Sequence, residues 1–227
     1  MITRREFLKL GASTAIALGT PHLLSNCKDN ITAPEPSEIN AQVAAVRGVN
    51  LDSMTREALD VFGGIQKIIQ QDESVFIKPN MVSLPWSQYE NSFIKGECTK
   101  PEIIIAVTEE CLKAGASEVI IGDGSQMYTF DWKYATTLDG SSNLVQEAER
   151  LSTKYGKKVT LACLEVDSPG FVEVPSRTYL DKIAVSSLVV EADRVISIPV
   201  AKTHSWAQLT LALKNFIGVT SLERYAG

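Results

Sequence analysis

The chain has 227 residues, 44% of them hydrophobic and 22% charged, a composition that supports one sizeable globular core and excludes a disordered or fibrous chain. Its 27 acidic residues outnumber its 22 basic ones, for a net charge of -5, which argues against non-specific nucleic-acid binding.

In chain order, "TRREFLKLGASTAIALGTPHLL" begins with Arg4 and Arg5, followed by Phe7, Leu8 and Lys9. The apolar run after them is too short and too interrupted by Gly and Thr to form a stable membrane span. Over Thr3 to Lys9 the segment resembles a twin-arginine export signal. That resemblance implies a protein folded before the translocation machinery carries it to the periplasmic or extracytoplasmic side, a route that permits a cofactor. Cys27 closes "LLSNC", which resembles a lipoprotein cleavage box, with Asn26 departing from the small residue expected there. Either a lipid on Cys27 anchors the protein to the membrane, or a plain signal cut falls nearby. "KDNITAPEPSEINAQ" reads as a polar tether. The expected organisation is a signal over 1–27, a linker over 28–44 and a single α/β domain over 45–227.

"SMTREALDVFGGIQKIIQQ" sets Met54, Ala58, Val61, Phe62, Ile65, Ile68 and Ile69 at helical spacing, with Ser53 as its cap and Gly63 and Gly64 weakening or splitting it. "SVFIKPN" predicts a buried strand stopped at Pro79. "TKPEIIIAVTEECLKAGA" predicts a helix from Pro101 to a stop near Gly115, with Ile103, Ile104, Val107 and Cys111 as its apolar stripe. "SEVIIGDGS" is a second strand, and the short return makes the two strands parallel through a right-handed crossover. A helix in "SSNLVQEAERLSTKYG", a strand in "KVTLACLEV" and a hairpin in "GFVEVPSRTYLDKIAVS" follow. "SLVVEADRVISIPVAKTH" predicts another buried strand around Val195, Ile196 and Ile198, with Asp193 as a turn residue at its opposite end. "SWAQLTLALKNFIG" restarts helical periodicity through Leu209, Leu213 and Phe216. The fold class is α/β, a mainly parallel sheet flanked by helices in a Rossmann-like three-layer arrangement.

Cys98, Cys111 and Cys163 are widely spaced without a C-x-x-C, so no zinc or iron-sulfur motif is present, and three cysteines define no unique disulfide.

The polar residues gather at strand ends. Lys78 and Asn80 follow the first strand, Asp123 and Ser125 the second, and Lys202, Thr203 and His204 the last. Ligands of open parallel sheets bind beyond these carboxyl ends. Each residue alone has an ordinary explanation, as a solvated charge, a turn or a cap; their coincidence predicts a shared anion-binding cleft. Lys78 and Lys202 suit phosphate or carboxylate groups. Asp123 and His204 fit either a divalent metal completed by substrate or water, or an acid/base pair. Lysine beside another cation also suits general-base or nucleophilic work, which makes Lys202 a catalytic candidate with Asp123 and His204.

"VFIKPNMV", "TKPEIIIAVTEECLKAGASEVIIGDGS" and "EADRVISIPVAKTHSWAQLTLALKNFIG" together resemble the domain of unknown function 362 family, from about Val49 to Gly218. Its motif positions correspond here to Lys78, Pro79, Asn80, Pro101, Gly122, Asp123, Gly124, Ser125, Pro199, Lys202, Thr203, His204, Lys214, Asn215 and Gly218. The resemblance adds Lys214 and Asn215 to the anion-binding candidates. On a straight helix they would lie about 15 Å from His204, so sharing the cleft requires a bend. Members usually continue well beyond the "LKNFIG" block, so the resemblance implies that this chain, which stops at Gly227, lacks the family's last strands and part of the site. It also implies redox company, since some members resemble fusions with cysteine-rich ferredoxin-like modules, whose cysteines this chain lacks. Two functions follow as expectations. One is an exported enzyme acting on a small anionic substrate. The other is a non-catalytic ligand-binding or iron-sulfur/redox-accessory protein with a redox partner.

Overall fold

The computed structural model describes residues 42–82, 96–124, 128–176, 179–205 and 207–225. The twin-arginine segment, Cys27, most of the 28–44 linker and Ser125 lie outside the described residues.

Helix α1 spans Leu51–Asp60, and its cap is Asn50, whose side chain accepts the Ser53 N–H at 2.9 Å, rather than Ser53 itself. The helix stops before the predicted stripe is complete. Gly63 (φ 84) and Gly64 (φ 82) take a conformation other residues rarely adopt, so Val61, Phe62 and Ile68 end exposed while Ile65 and Ile69 reach the core. Strand β1 (Ser74–Pro79) is buried on both faces from Val75 onward, as its continuous apolar run requires. Helix α2 (Pro101–Lys113) carries Pro at its first turn and leads to β2 (Glu118–Asp123). Helix α3 (Leu144–Tyr155) starts from a capping box between Asn143 and Gln146 and leads to β3 (Lys158–Cys163). The chain then turns at once into a short helix, α4 (Leu164–Asp167), so the predicted third strand ends three residues early. The Asp167 carboxylate accepts the Cys163 N–H at 2.6 Å and fixes that turn.

Four strands form one parallel sheet in the order β3-β2-β1-β6, with β6 spanning Arg194–Ile198. Helices α1 to α3 cover one face over a core that includes Val75, Ile77, Ile104, Val107, Val119 and Ile121. The other face, with Phe76, Ala162 and Leu164, packs under the predicted hairpin, β4 (Phe171–Pro175) with β5 (Lys182–Ser186), the short helix α5 (Ser187–Val190) and Val219. This is a three-layer α/β fold. Strand β6 lies at the sheet edge, so Val195 is 40% exposed and Ile196 and Ile198 are only partly buried, rather than central to a buried strand. Asp193, at the opposite end from the cleft residues, accepts the Ser74 N–H at 2.8 Å.

The segment after β6 corrects the sequence reading most. Lys202–His204 is not the end of that strand but a strand of its own, β7, paired antiparallel with β8 (Gln208–Thr210). A one-turn helix, α6 (Ala212–Asn215), and a 3-10 turn (Phe216–Val219) follow in place of one long helix. Leu209, Leu211 and Leu213 alternate while Leu209, Leu213 and Phe216 recur at helical spacing, so the pattern fits both periods, and Leu213 ends 91% exposed. Among the described residues no helix is long and apolar enough to cross a membrane.

The three helices on the covered face are tied by Glu109, whose carboxylate accepts from Arg56 at 2.7 Å, Lys154 at 2.6 Å and the Tyr155 hydroxyl at 3.0 Å. Burial opposes its charge, but the hydrogen bonds from Lys154, Arg56 and Tyr155 outweigh that and hold its pKa at about 2. Its folded pKa lies below the ordinary 4.5, so its stabilising contribution is complete above that value and is lost as pH falls toward about 2. Glu109→Gln should therefore destabilise the protein by roughly 2 kcal/mol at neutral pH. Acid titration of urea midpoints should find the difference from the native protein shrinking across that window.

Candidate functional site

The chain runs from β1 to β2 to β3 on one side and then returns to the far side of β1 as β6. The loops leaving β1 and β6 diverge at that reversal, which opens a crevice at their carboxyl ends. Thr99 joins the two ends, accepting the Asn80 N–H at 2.9 Å and donating to the Ile198 carbonyl at 2.7 Å.

Lys78 and Asp123 form the floor. Their side chains are ion-paired although only 1% and 2% of each residue is exposed. Lys78 Nζ also donates to the Pro79 carbonyl at 2.8 Å, and Asp123 Oδ2 accepts the Met81 N–H at 2.6 Å. Burial lowers the Lys78 pKa and raises that of Asp123, while each charge favours the other. Two glycines let the backbone close over the pair. Gly124 donates its N–H to the Gly218 carbonyl at 2.7 Å, and a Cβ on Gly218 would lie 2.7 Å from the Gly124 carbonyl oxygen and 3.0 Å from Lys78 Nζ.

Asn215 holds the returning segment against the sheet, donating to the Lys78 carbonyl at 2.8 Å and to Ser197 Oγ at 3.0 Å. It is 4% exposed, and its Oδ1 has no partner among the described residues; the same holds for the hydroxyl of Thr210, which is 3% exposed. Both residues line a cavity of about 650 Å³ that also receives Lys78, Asn80, Asp123, Lys202, His204 and Lys214. The bend after β8 brings Lys214 and Asn215 back to the strand ends, which a straight helix could not do. Lys202 donates to the Glu97 carbonyl at 2.8 Å. Partial burial and then the nearby Lys202 ammonium lower the Lys214 pKa. Neither lysine has a carboxylate partner among the described residues.

Alternation along β7 turns Lys202 and His204 toward the cavity and leaves Thr203 exposed and outside its lining. The His204 ring accepts the Ala207 N–H at 3.3 Å across the hairpin turn. Among the described residues no group of three or more His, Cys, Asp or Glu gathers to hold a metal ion. Cys98, Cys111 and Cys163 are buried thiols rather than disulfides, and burial pushes Cys111 up to about 12. Sequence reasoning missed Thr99, Thr210 and Glu165, the last also lining the cavity. Thr99 gave no signal, Thr210 was masked by the helical reading and Glu165 by the overlong third strand. A larger groove of about 860 Å³ lies along the outer edge of β3; Cys163 lines it, but none of the cleft residues does.

The fold and this cleft define a three-layer α/β protein with its candidate site at the reversal point of a parallel sheet. The chain belongs to the family described as Domain of unknown function (DUF362), whose profile matches residues 75–226. Comparison with curated proteins and with solved structures finds no match.

Proposed function

We propose that this is an exported protein that binds a small phosphate- or carboxylate-bearing molecule in the cleft and acts on it by proton transfer. The observation that carries the reading is the convergence on one cavity of Lys202 and Lys214 and of two buried polar atoms, the lysines without carboxylate partners and the polar atoms without hydrogen-bond partners among the described residues. Two ammonium groups close enough for one to lower the other's pKa are stabilised by an anion between them. In this reading Lys202 and Lys214 hold the anion, and the Lys78 and Asp123 pair is a self-neutralised floor that positions the surrounding backbone. His204, on the same face of β7 as Lys202, moves the proton.

A non-catalytic reading has its own support. Both Asp123 oxygens are engaged inside the protein, which withdraws one of the expected acid/base or metal-binding groups from the ligand. The same residues would then grip a ligand or cofactor supplied by a partner, including a redox partner. A thermal-shift screen of phosphates and carboxylates, followed by product analysis on the ligands that raise Tm, separates the two. The enzymatic reading expects turnover that His204→Gln lowers at least a hundredfold with affinity retained. A ligand returned unchanged supports the binder, and no Tm shift with any anion contradicts both.

Export rests on the resemblance of Thr3 to Lys9 to a twin-arginine signal. Replacing both Arg4 and Arg5 by Lys should leave the protein in the cytoplasmic fraction, and unchanged export would count against this route.

A further inference from the structure

Among the described residues the cleft is basic at one end only. Glu165, in α4 directly after β3, lines the same cavity, and its carboxylate accepts the Leu222 N–H. No cation among the described residues pairs with it. Strand order puts β3 and β6 at opposite edges of the sheet. With neighbouring strands about 4.8 Å apart, their ends are separated by roughly 14 Å. Lys202, which follows β6, and Lys214, held near Lys78 and Ser197 through Asn215, belong to the β6 and β1 end; Glu165 belongs to the β3 end. Between them lies the Lys78 and Asp123 pair, whose charges cancel. In its described lining the cavity is therefore positive, neutral and negative along its length.

A simple inorganic anion would satisfy the lysines and leave Glu165 as an unpaired carboxylate in the same cavity. We propose that the ligand is bipolar, with a phosphate or carboxylate held by Lys202 and Lys214 and an ammonium group held by Glu165, lying across the strand ends. The inference rests on the anion-binding reading above and narrows its ligand class. The Thr210 hydroxyl and Asn215 Oδ1, which have no partner among the described residues, give the ligand further polar contacts within the same cavity.

Calorimetric titration of the full chain with butyl phosphate and with aminobutyl phosphate tests it. These probes share the anion and differ in the ammonium. The native protein should bind aminobutyl phosphate about tenfold more tightly than butyl phosphate, the scale of one charge-assisted contact. Glu165→Gln should bring that ratio close to one. Glutamine keeps an oxygen to accept the Leu222 N–H, so the variant should stay folded, which circular dichroism checks. Equal affinities in the native protein, with both lost in Lys202→Gln/Lys214→Gln, would overturn the bipolar ligand and leave the anion site standing. A native preference that persists in Glu165→Gln would also overturn it, and binding of neither probe would overturn the anion-binding reading with it.

Discussion

Lys78→Met is expected to lower the folding stability by about 3–5 kcal/mol, because it leaves an uncompensated carboxylate in the interior. That is a large part of the stability an ordinary domain possesses. Asp123 is 2% exposed and would be left with backbone N–H donors alone, that of Met81 among them. The alternative of taking up a proton carries its own free-energy cost at neutral pH. The double variant Lys78→Met/Asp123→Leu should recover a substantial part of the loss, since it removes both buried charges and retains similar volume. Guanidinium unfolding of the native protein, the two single variants and the double variant measures this cycle. Single-variant losses below about 1 kcal/mol, a surface-pair magnitude, would mean that the pair is not buried as described.

Lys202→Gln and Lys214→Gln are each expected to weaken phosphate binding about tenfold, and the double variant by roughly a hundredfold if the two contacts act independently. Truncating either lysine should leave the fold intact, because neither takes part in an ion pair among the described residues. The pH dependence follows from the sign of the shift. The anion binds the ammonium form of Lys214, whose pKa is lowered from the ordinary 10.5 by burial and then by Lys202. Affinity should therefore fall as pH rises through that lowered value, earlier than for an ordinary lysine, and Lys214→Gln should flatten this limb. Calorimetry across pH checks both, and an unchanged affinity in the double variant would remove the two lysines from the site.

The sheet was legible because the runs around Phe76 and Ile120 are continuous, short and separated by a helix of clear periodicity. The candidate site was legible as a coincidence of polar residues after apolar runs: Lys78, Asn80, Asp123, Lys202 and His204 all line one cavity. What the residues do to one another was not legible. Lys78 and Asp123 lie 45 positions apart, and nothing local signals that they neutralise each other. Thr203 carried the same signal as its neighbours, but the alternation of a short strand turns it away, and that strand was hidden inside a longer predicted one. Lys214 and Asn215 reach the cleft through a bend in a segment whose leucines satisfy two periods at once.

A crystal structure of the protein saturated with inorganic phosphate tests the central claim most directly. The account predicts phosphate density within hydrogen-bonding reach of Lys202 and Lys214, at the carboxyl ends of β1 and β6. Saturating phosphate bound elsewhere, with this cleft empty, would contradict it.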